Sequence, residues 1–299
     1  MDILYIIGNG YSKCDHFELR MSLRSIEKFG INIDRVFVAG HCPEWLSDEV
    51  IKVPHQQPLT KKDMYVGQKH YNIMETMLYV VENTDIGEEF LISYDDHIYI
   101  KTVDFDNYPH FIKQVDYNLG NHYEFLPNTQ FHNVESYAAW MVRSREELEK
   151  LGLPVYNCTP HRNQHVRRST INELRDVIEE YRKRKCWDCE WFLLSLNYEY
   201  SKGMFEWTPV WDVRINNPSQ WWKCNPRTTD VISTADFSLS SSFVELLLGL
   251  FPEKSKYELY DVQLSESKPE SKPKSKVITL KSDSGSSYDS GMNFSSSSR

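Results

Sequence analysis

Apolar runs of strand length alternate, over the first hundred residues, with stretches where apolar side chains recur every three or four positions. That is the pattern of βαβ units wrapped around a parallel sheet. Ile3–Ile7 is the first run, ended by Gly8-Asn9-Gly10. A helix is expected next, because Asp15 stands three residues before Glu18 as a capping box, Leu19, Leu23 and Ile26 share one face, and Gly30 supplies a stop. Arg35–Ala39 reads as a second buried strand ended by Gly40, and Val50–Val53 as a short third. Gln68–Glu82 predicts a helix with Ile73, Met77 and Val81 on its apolar stripe, and Glu89–Tyr94 a strand leading into Asp95-Asp96. The order β-α-β-β-α-β makes residues 1–105 one half of the fold.

The other half, 106–261, is less periodic. Val134–Leu151 and Thr170–Lys183 predict helices, the second opened by Thr170 and Glu173 as a capping box; Trp187–Trp222 is aromatic and strand-like; Phe243–Leu250 predicts a last helix before Phe251-Pro252. No internal repeat is found. The fold class expected is α/β, a mostly parallel sheet flanked by helices in a single domain over 1–261. Residues 262–299 carry Pro269, Pro273, repeated Lys and Glu, and the serine runs Ser284, Ser286-Ser287 and Ser295–Ser298. Such a segment cannot bury enough apolar surface to offset its ordering entropy, which predicts a disordered Ser/Lys/Pro-rich tail.

Charge narrows the functional classes. The formal net charge is −9, and the tail's five Lys and one Arg against two Glu and two Asp make it +2, leaving −11 on the remainder. That is the wrong sign for holding nucleic acid by counterion release, so no nucleic-acid partner is expected. No apolar run approaches the roughly 18 residues that would span a bilayer, and Ile3–Ile7 is too short for a signal-peptide core. Six cysteines with a single C-x-x-C, Cys186 to Cys189, make neither a disulfide framework nor a four-thiolate zinc site. A soluble, cytoplasmic protein with no transmembrane segment and with reduced thiols is expected.

In open α/β sheets ligands bind beyond the carboxyl ends of the strands, which directs attention to polar residues just after a strand. Gly8-Asn9-Gly10 would let backbone N–H groups or a flat base approach closely, although glycine and asparagine also make ordinary turns. Asp95-Asp96 places adjacent carboxylates at a strand end, where they repel unless a cation compensates them. A hard divalent ion bridging to phosphates fits, and a solvated turn is the plainer alternative. Arg20 and Arg24 lie one turn apart on the first helix, with Glu18 and Glu27 near, in a spacing usual for a surface ion-pair face. His161 and His165, beside Arg162, Arg167 and Arg168, read as a zinc pair if helical, and otherwise as a phosphate-facing basic loop or a merely solvated one.

Several of these segments resemble a known family. Phe17-Glu18-Leu19-Arg20-Met21-Ser22-Leu23-Arg24-Ser25-Ile26-Glu27-Lys28-Phe29 is similar to the "NELRYSLRSIEKY" block of the Stealth proteins, capsular-polysaccharide sugar-phosphate transferases related to GlcNAc-1-phosphotransferase. Pro43-Glu44-Trp45-Leu46, His55 and Phe90-Leu91-Ile92-Ser93-Tyr94-Asp95-Asp96 follow in the family's order. Ile232-Ser233-Thr234-Ala235-Asp236 and Phe251-Pro252-Glu253-Lys254-Ser255-Lys256-Tyr257-Glu258 resemble endings found in smaller phage- and bacteria-type relatives. The resemblance is continuous over about 1–105 and patchy to about 258.

It implies a glycosyltransferase-A-type nucleotide-diphospho-sugar transferase fold, a site dependent on Mg²⁺ or Mn²⁺, a nucleotide-sugar donor such as a UDP-sugar, and a glycan or surface-polysaccharide acceptor. By position it implies that Asp95 and Asp96 hold the metal, that Gly8, Asn9 and Gly10 line the donor site, and that Arg20 and Arg24 meet donor phosphate. Asp212, in Trp211-Asp212-Val213-Arg214, matches a candidate acid, base or second metal contact, with an ion pair to Arg214 as the plainer alternative. The chain departs from the family at Asn9, where the pattern has an acidic residue, and at Cys158-Thr159-Pro160, where His161 lies three residues from the expected histidine. Those departures bring glycosyl transfer level with sugar-phosphate transfer. The competing function is a non-catalytic carbohydrate-binding protein on the same fold, suggested by Trp187, Trp191, Trp207, Trp211, Trp221 and Trp222.

Overall fold

A computed structural model describes residues 1–8, 15–55, 66–113, 137–184, 189–210, 215, 218–223, 229–234 and 241–261, the side chains of 66–70, 137–139, 218 and 221–222 excepted. By internal contacts the chain divides into Met1–Val262 and Gln263–Arg299, and every described residue belongs to the first unit. The tail expected at 262–299 lies outside the described residues.

The first half runs β1 (Asp2–Ile7), α1 (Phe17–Phe29), β2 (Gly30–Ile31), β3 (Val36–Gly40), β4 (Val50–Pro54), α2 (Val66–Asn83) and β5 (Glu89–Ser93). Three short strands follow: β6 (His97–Tyr99), β7 (Val103–Asp104) and β8 (Phe111–Lys113). The second half holds α3 (Tyr137–Lys150), β9 (Gln164–Arg167), α4 (Arg168–Glu173), α5 (Arg175–Arg184), α6 (Trp191–Ser201), β10 (Thr208–Val210), a 3₁₀ turn at Pro218–Lys223, β11 (Val231–Ser233) and α7 (Ser241–Leu250).

The main sheet has the order β4-β3-β1-β5-β9. Its first four strands are parallel, and β9 closes the edge antiparallel to β5. Side chains alternate between two cores as a pleated sheet requires. Ile3, Tyr5 and Ile7 pack with Leu19, Leu23 and Ile26 of α1, whereas Leu4 packs with Met74, Met77 and Leu78 of α2 on the opposite face. The architecture is therefore mixed α/β with a mostly parallel sheet between helices. Among the described residues no helix is long and apolar enough to cross a membrane.

Several local expectations are corrected. Asp15 does not cap α1: Asp15 and His16 both have positive φ, 49° and 55°, and the Asp15 carboxylate accepts instead from Arg20 Nη2 at 3.1 Å. The stripe of α2 is Met74, Met77, Leu78 and Val81, with Ile73 only half-buried. The expected helix at 170–183 is two, broken at Leu174; Thr170 lies inside α4 with its hydroxyl donated to Glu199 Oε1 at 2.5 Å, so it is not available as a cap. The strand-like reading of 187–222 gives way to α6, whose Phe192, Leu193, Leu194 and Leu196 are all buried. A helix buried nearly all round loses the periodicity that would reveal it.

Candidate functional site

The parallel strands deliver their carboxyl ends to one edge of the sheet. From β1 the chain passes through α1 to β3 on one side, and from β4 through α2 to β5 on the other, so the order reverses between β1 and β5. A crevice at such a reversal is where open α/β sheets take ligands. Tyr5 pairs with Ser93, and three residues on from each stand Gly8 and Asp96. Gly8 is exposed, and a Cβ built on it would meet nothing within 4 Å. Asn9 and Gly10 lie outside the described residues. Gly40 ends β3 with φ +90°, and a Cβ there would stand 2.3 Å from the Ile7 carbonyl oxygen, so only glycine lets β1 and β3 finish side by side.

Asp95 and Asp96 are half-buried in a tight turn closed by His97 N–H on the Tyr94 carbonyl at 3.1 Å. The Tyr5 hydroxyl is pushed up to about 12 chiefly by burial, with the charge of Asp95 adding to the effect. The next strand, β6, pairs with β11, and the Asp96 carbonyl accepts from Thr234 N–H at 3.1 Å. Thr234 Oγ1 donates to the buried Glu18 at 2.5 Å, and Tyr99 N–H donates to Ser25 Oγ at 3.0 Å. His97, fully buried, has Nδ1 3.2 Å from Asn163 Oδ1 and Nε2 3.9 Å from Asp96 Oδ1. Glu18, Thr234, His97 and Asn163 thus frame the aspartate turn, and none was a candidate site residue in the sequence. The available signal was Glu18, Ser22 and Ser25 at helical spacing, a small polar stripe inside an apolar helix.

Arg20 and Arg24 do not form a solvated ion-pair face. Both are buried, and their donors go to protein acceptors. Arg20 Nη1 donates to Glu258 and to the Tyr260 carbonyl, each at 2.9 Å, and its guanidinium lies 4.0 Å over the Trp45 ring. Arg24 holds Glu258 through Nε at 2.7 Å and Nη2 at 3.0 Å, the Phe251 carbonyl through Nη1, and Asp261 through Nη2 at 2.6 Å. Burial alone would raise the Glu258 carboxyl, but hydrogen bonds from Arg24, Ser255 and Arg20 hold it below the ordinary carboxylate range. Three segments that carried the family resemblance, around Arg20, Trp45 and Glu258, meet in this one cluster.

His161 is exposed on a bend, and His165 sits on β9, so the pair shares neither a helix nor a loop. Arg162 is paired with Asp230, Arg167 with Glu89, and Arg168 with the carbonyl of Ile86, which leaves the expected basic phosphate loop built into the fold instead. Asp212 lies outside the described residues. Of the tryptophans considered for sugar stacking, Trp191 and Trp207 are buried in the core; the side chains of the other four are not described. No protein-family model matches the chain, and no curated protein matches it significantly.

Proposed function

We propose that this protein is a metal-dependent transferase that moves a sugar, or a sugar 1-phosphate, from a nucleotide-sugar donor to a glycan or polysaccharide acceptor. The observation that carries the reading is the placement of Asp95 and Asp96 in the turn after a central parallel strand, beside the point where the strand order reverses. Two adjacent carboxylates offer the hard oxygen donors that Mg²⁺ or Mn²⁺ takes when it also binds phosphate oxygens. When bound, such an ion neutralises charge that develops on a diphosphate leaving group or a transferred phosphoryl. The motif resemblance to Stealth-type transferases supports the same donor class.

The chain's own residues would do the positioning. Gly8, exposed and with nothing within 4 Å of a built Cβ, leaves room for a ligand beyond β1, and the Glu18–Thr234 hydrogen bond and the Thr234 N–H fix the backbone of Asp96. Arg20 and Arg24, having spent their donors on Glu258 and Asp261, serve this reading as anchors of α1 and not as phosphate ligands. The test is a panel of nucleotide sugars with Mg²⁺ or Mn²⁺, read by thermal stabilisation and by release of nucleotide. A metal-dependent rise in melting temperature for one donor is expected, because a ligand that binds only the native state stabilises it by mass action. Asp95→Asn and Asp96→Asn should each abolish that response with the fold retained. Donor binding that needs no metal and survives both substitutions would overturn the reading.

A further inference from the structure

We propose that Arg20 and Trp45, themselves fixed by residues 258–260, are positioning residues for donor binding: they hold the Asp15-His16 turn in the left-handed conformation that the donor site requires. The inference rests on the transferase reading above and concerns the same edge of the sheet. Residues 9–14 lie outside the described residues, and the connection from β1 to α1 is next fixed at Asp15 and His16. Both have positive φ, 49° and 55°, and neither is glycine. Two such residues in succession persist only where their surroundings over-determine them, and conformations of this kind gather at ligand sites.

The carboxylate and the carbonyl of Asp15 are both gripped. The carboxylate accepts from Arg20 Nη2 and the carbonyl from Trp45 Nε1, each at 3.1 Å. Asp15 is exposed, but its two donors are buried and are held from the far side by consecutive residues of the returning segment. Arg20 Nη1 donates to Glu258 and to the Tyr260 carbonyl, and the Trp45 carbonyl accepts from Leu259 N–H at 2.7 Å. The Arg20 guanidinium over the Trp45 ring joins the two grips into one.

The turn in consequence fixes His16. Its ring meets that of His41 with 4.8 Å between centroids, and His41 N–H donates to the Ile7 carbonyl at 2.9 Å, one residue past the Ile7–Gly40 pair that ends β1 and β3. His16 therefore packs against the carboxyl ends of those strands, on the edge where Asp95 and Asp96 follow β5 on the other side of β1. Two strand spacings, roughly 10 Å, separate the ends of β3 and β5. Burial, more than the neighbouring charges, lowers the His16 pKa below the ordinary imidazole value, so at pH 7 the ring is a packing surface and not a charge.

A turn that relaxes out of its donor-competent conformation lowers the apparent affinity in proportion to the competent fraction, and leaves the turnover of bound donor alone. Asp15→Ala removes the carboxylate and disfavours the left-handed backbone without touching the buried Arg20–Glu258 pair. In the full chain, KM for the nucleotide sugar that the panel identifies should rise about tenfold, the factor set by the ordinary cost of one left-handed residue, with kcat and the Mn²⁺ requirement unchanged. Asp15→Asn keeps an oxygen acceptor and tolerates the left-handed backbone, and should stay within about twofold of the parent. Trp45→Phe keeps a ring beneath Arg20, loses the Nε1–H, and should raise KM in the same direction. A parent chain that binds no nucleotide sugar overturns the transferase reading and this role with it. A parent that binds donor, with Asp15→Ala equal to it in KM or altered in kcat instead, overturns the positioning role alone.

Discussion

Glu190 puts a carboxyl group in the core at the start of α6, its Oε2 without a hydrogen-bond partner among the described residues and the buried Cys158 thiol within electrostatic reach. Burial pushes its pKa up to about 8. The folded chain therefore binds this proton more tightly than the unfolded chain, so the stability it lends is complete below the unfolded value and is lost as pH rises toward 8. Glu190→Gln should leave stability unchanged at pH 4 and raise it at pH 8 by on the order of 3 kcal/mol, a gain of several degrees in Tm. Melting curves across pH 4–9 check this; a constant difference would assign the effect to packing. Glu258 has the opposite environment. Glu258→Ala strands Arg20 and Arg24 in the interior, and a loss of about 3–5 kcal/mol in a denaturant titration is expected. At this scale the sequence revealed the aspartate turn, because two carboxylates after an apolar run are conspicuous. It hid the partners of Arg20 and Arg24, because Glu258 lies more than 230 residues away along the chain and no local spacing connects them.

The first half of the fold was readable element by element, since a parallel sheet flanked by amphipathic helices writes period 2 and period 3.6 plainly into its strands and helices. The second half was not, because α6 is buried nearly all round and β8, β10 and β11 are only three residues long, too short for alternation to show. Helix α1 explains its own dense sequence by presenting a different face to each neighbour. Leu19, Leu23 and Ile26 meet the sheet; Glu18 and Ser25 meet β11 and β6; Arg20, Arg24 and Glu27 meet the segment 251–261; Phe17 and Met21 meet α7. Thr234→Val removes the hydroxyl that Glu18 accepts from. If it positions the aspartate turn in a donor site, the concentration of Mn²⁺ needed for half-maximal turnover should rise several-fold; because the buried Glu18 carboxylate loses this donor, the melting temperature should also fall by several degrees. Gly40→Ala should cost on the order of 1–3 kcal/mol, because a left-handed residue there would also push its Cβ into the Ile7 carbonyl; chemical denaturation measures it.

At the scale of the molecule, the segment after α7 turns back over α1 and the loop that bears Trp45: Leu46 bridges Glu258, Ser47 N–H donates to the Tyr257 carbonyl, and Leu259 N–H donates to that of Trp45. Two truncations separate the contributions. Removing 263–299 should leave Tm unchanged, as the Ser/Lys/Pro composition contributes little burial, whereas ending the chain at Leu250 should lower Tm by ten degrees or so through the loss of Glu258. The same connection sets an order on biosynthesis. At roughly 5–20 residues per second a ribosome that has made Arg24 needs about 10–50 s to reach Glu258. Through that interval the growing chain carries two arginines bound for the interior with their principal counter-ion not yet synthesised. Helix α1 is the earliest of the described helices along the chain, yet its arginines find their principal counter-ions in residues 258–261.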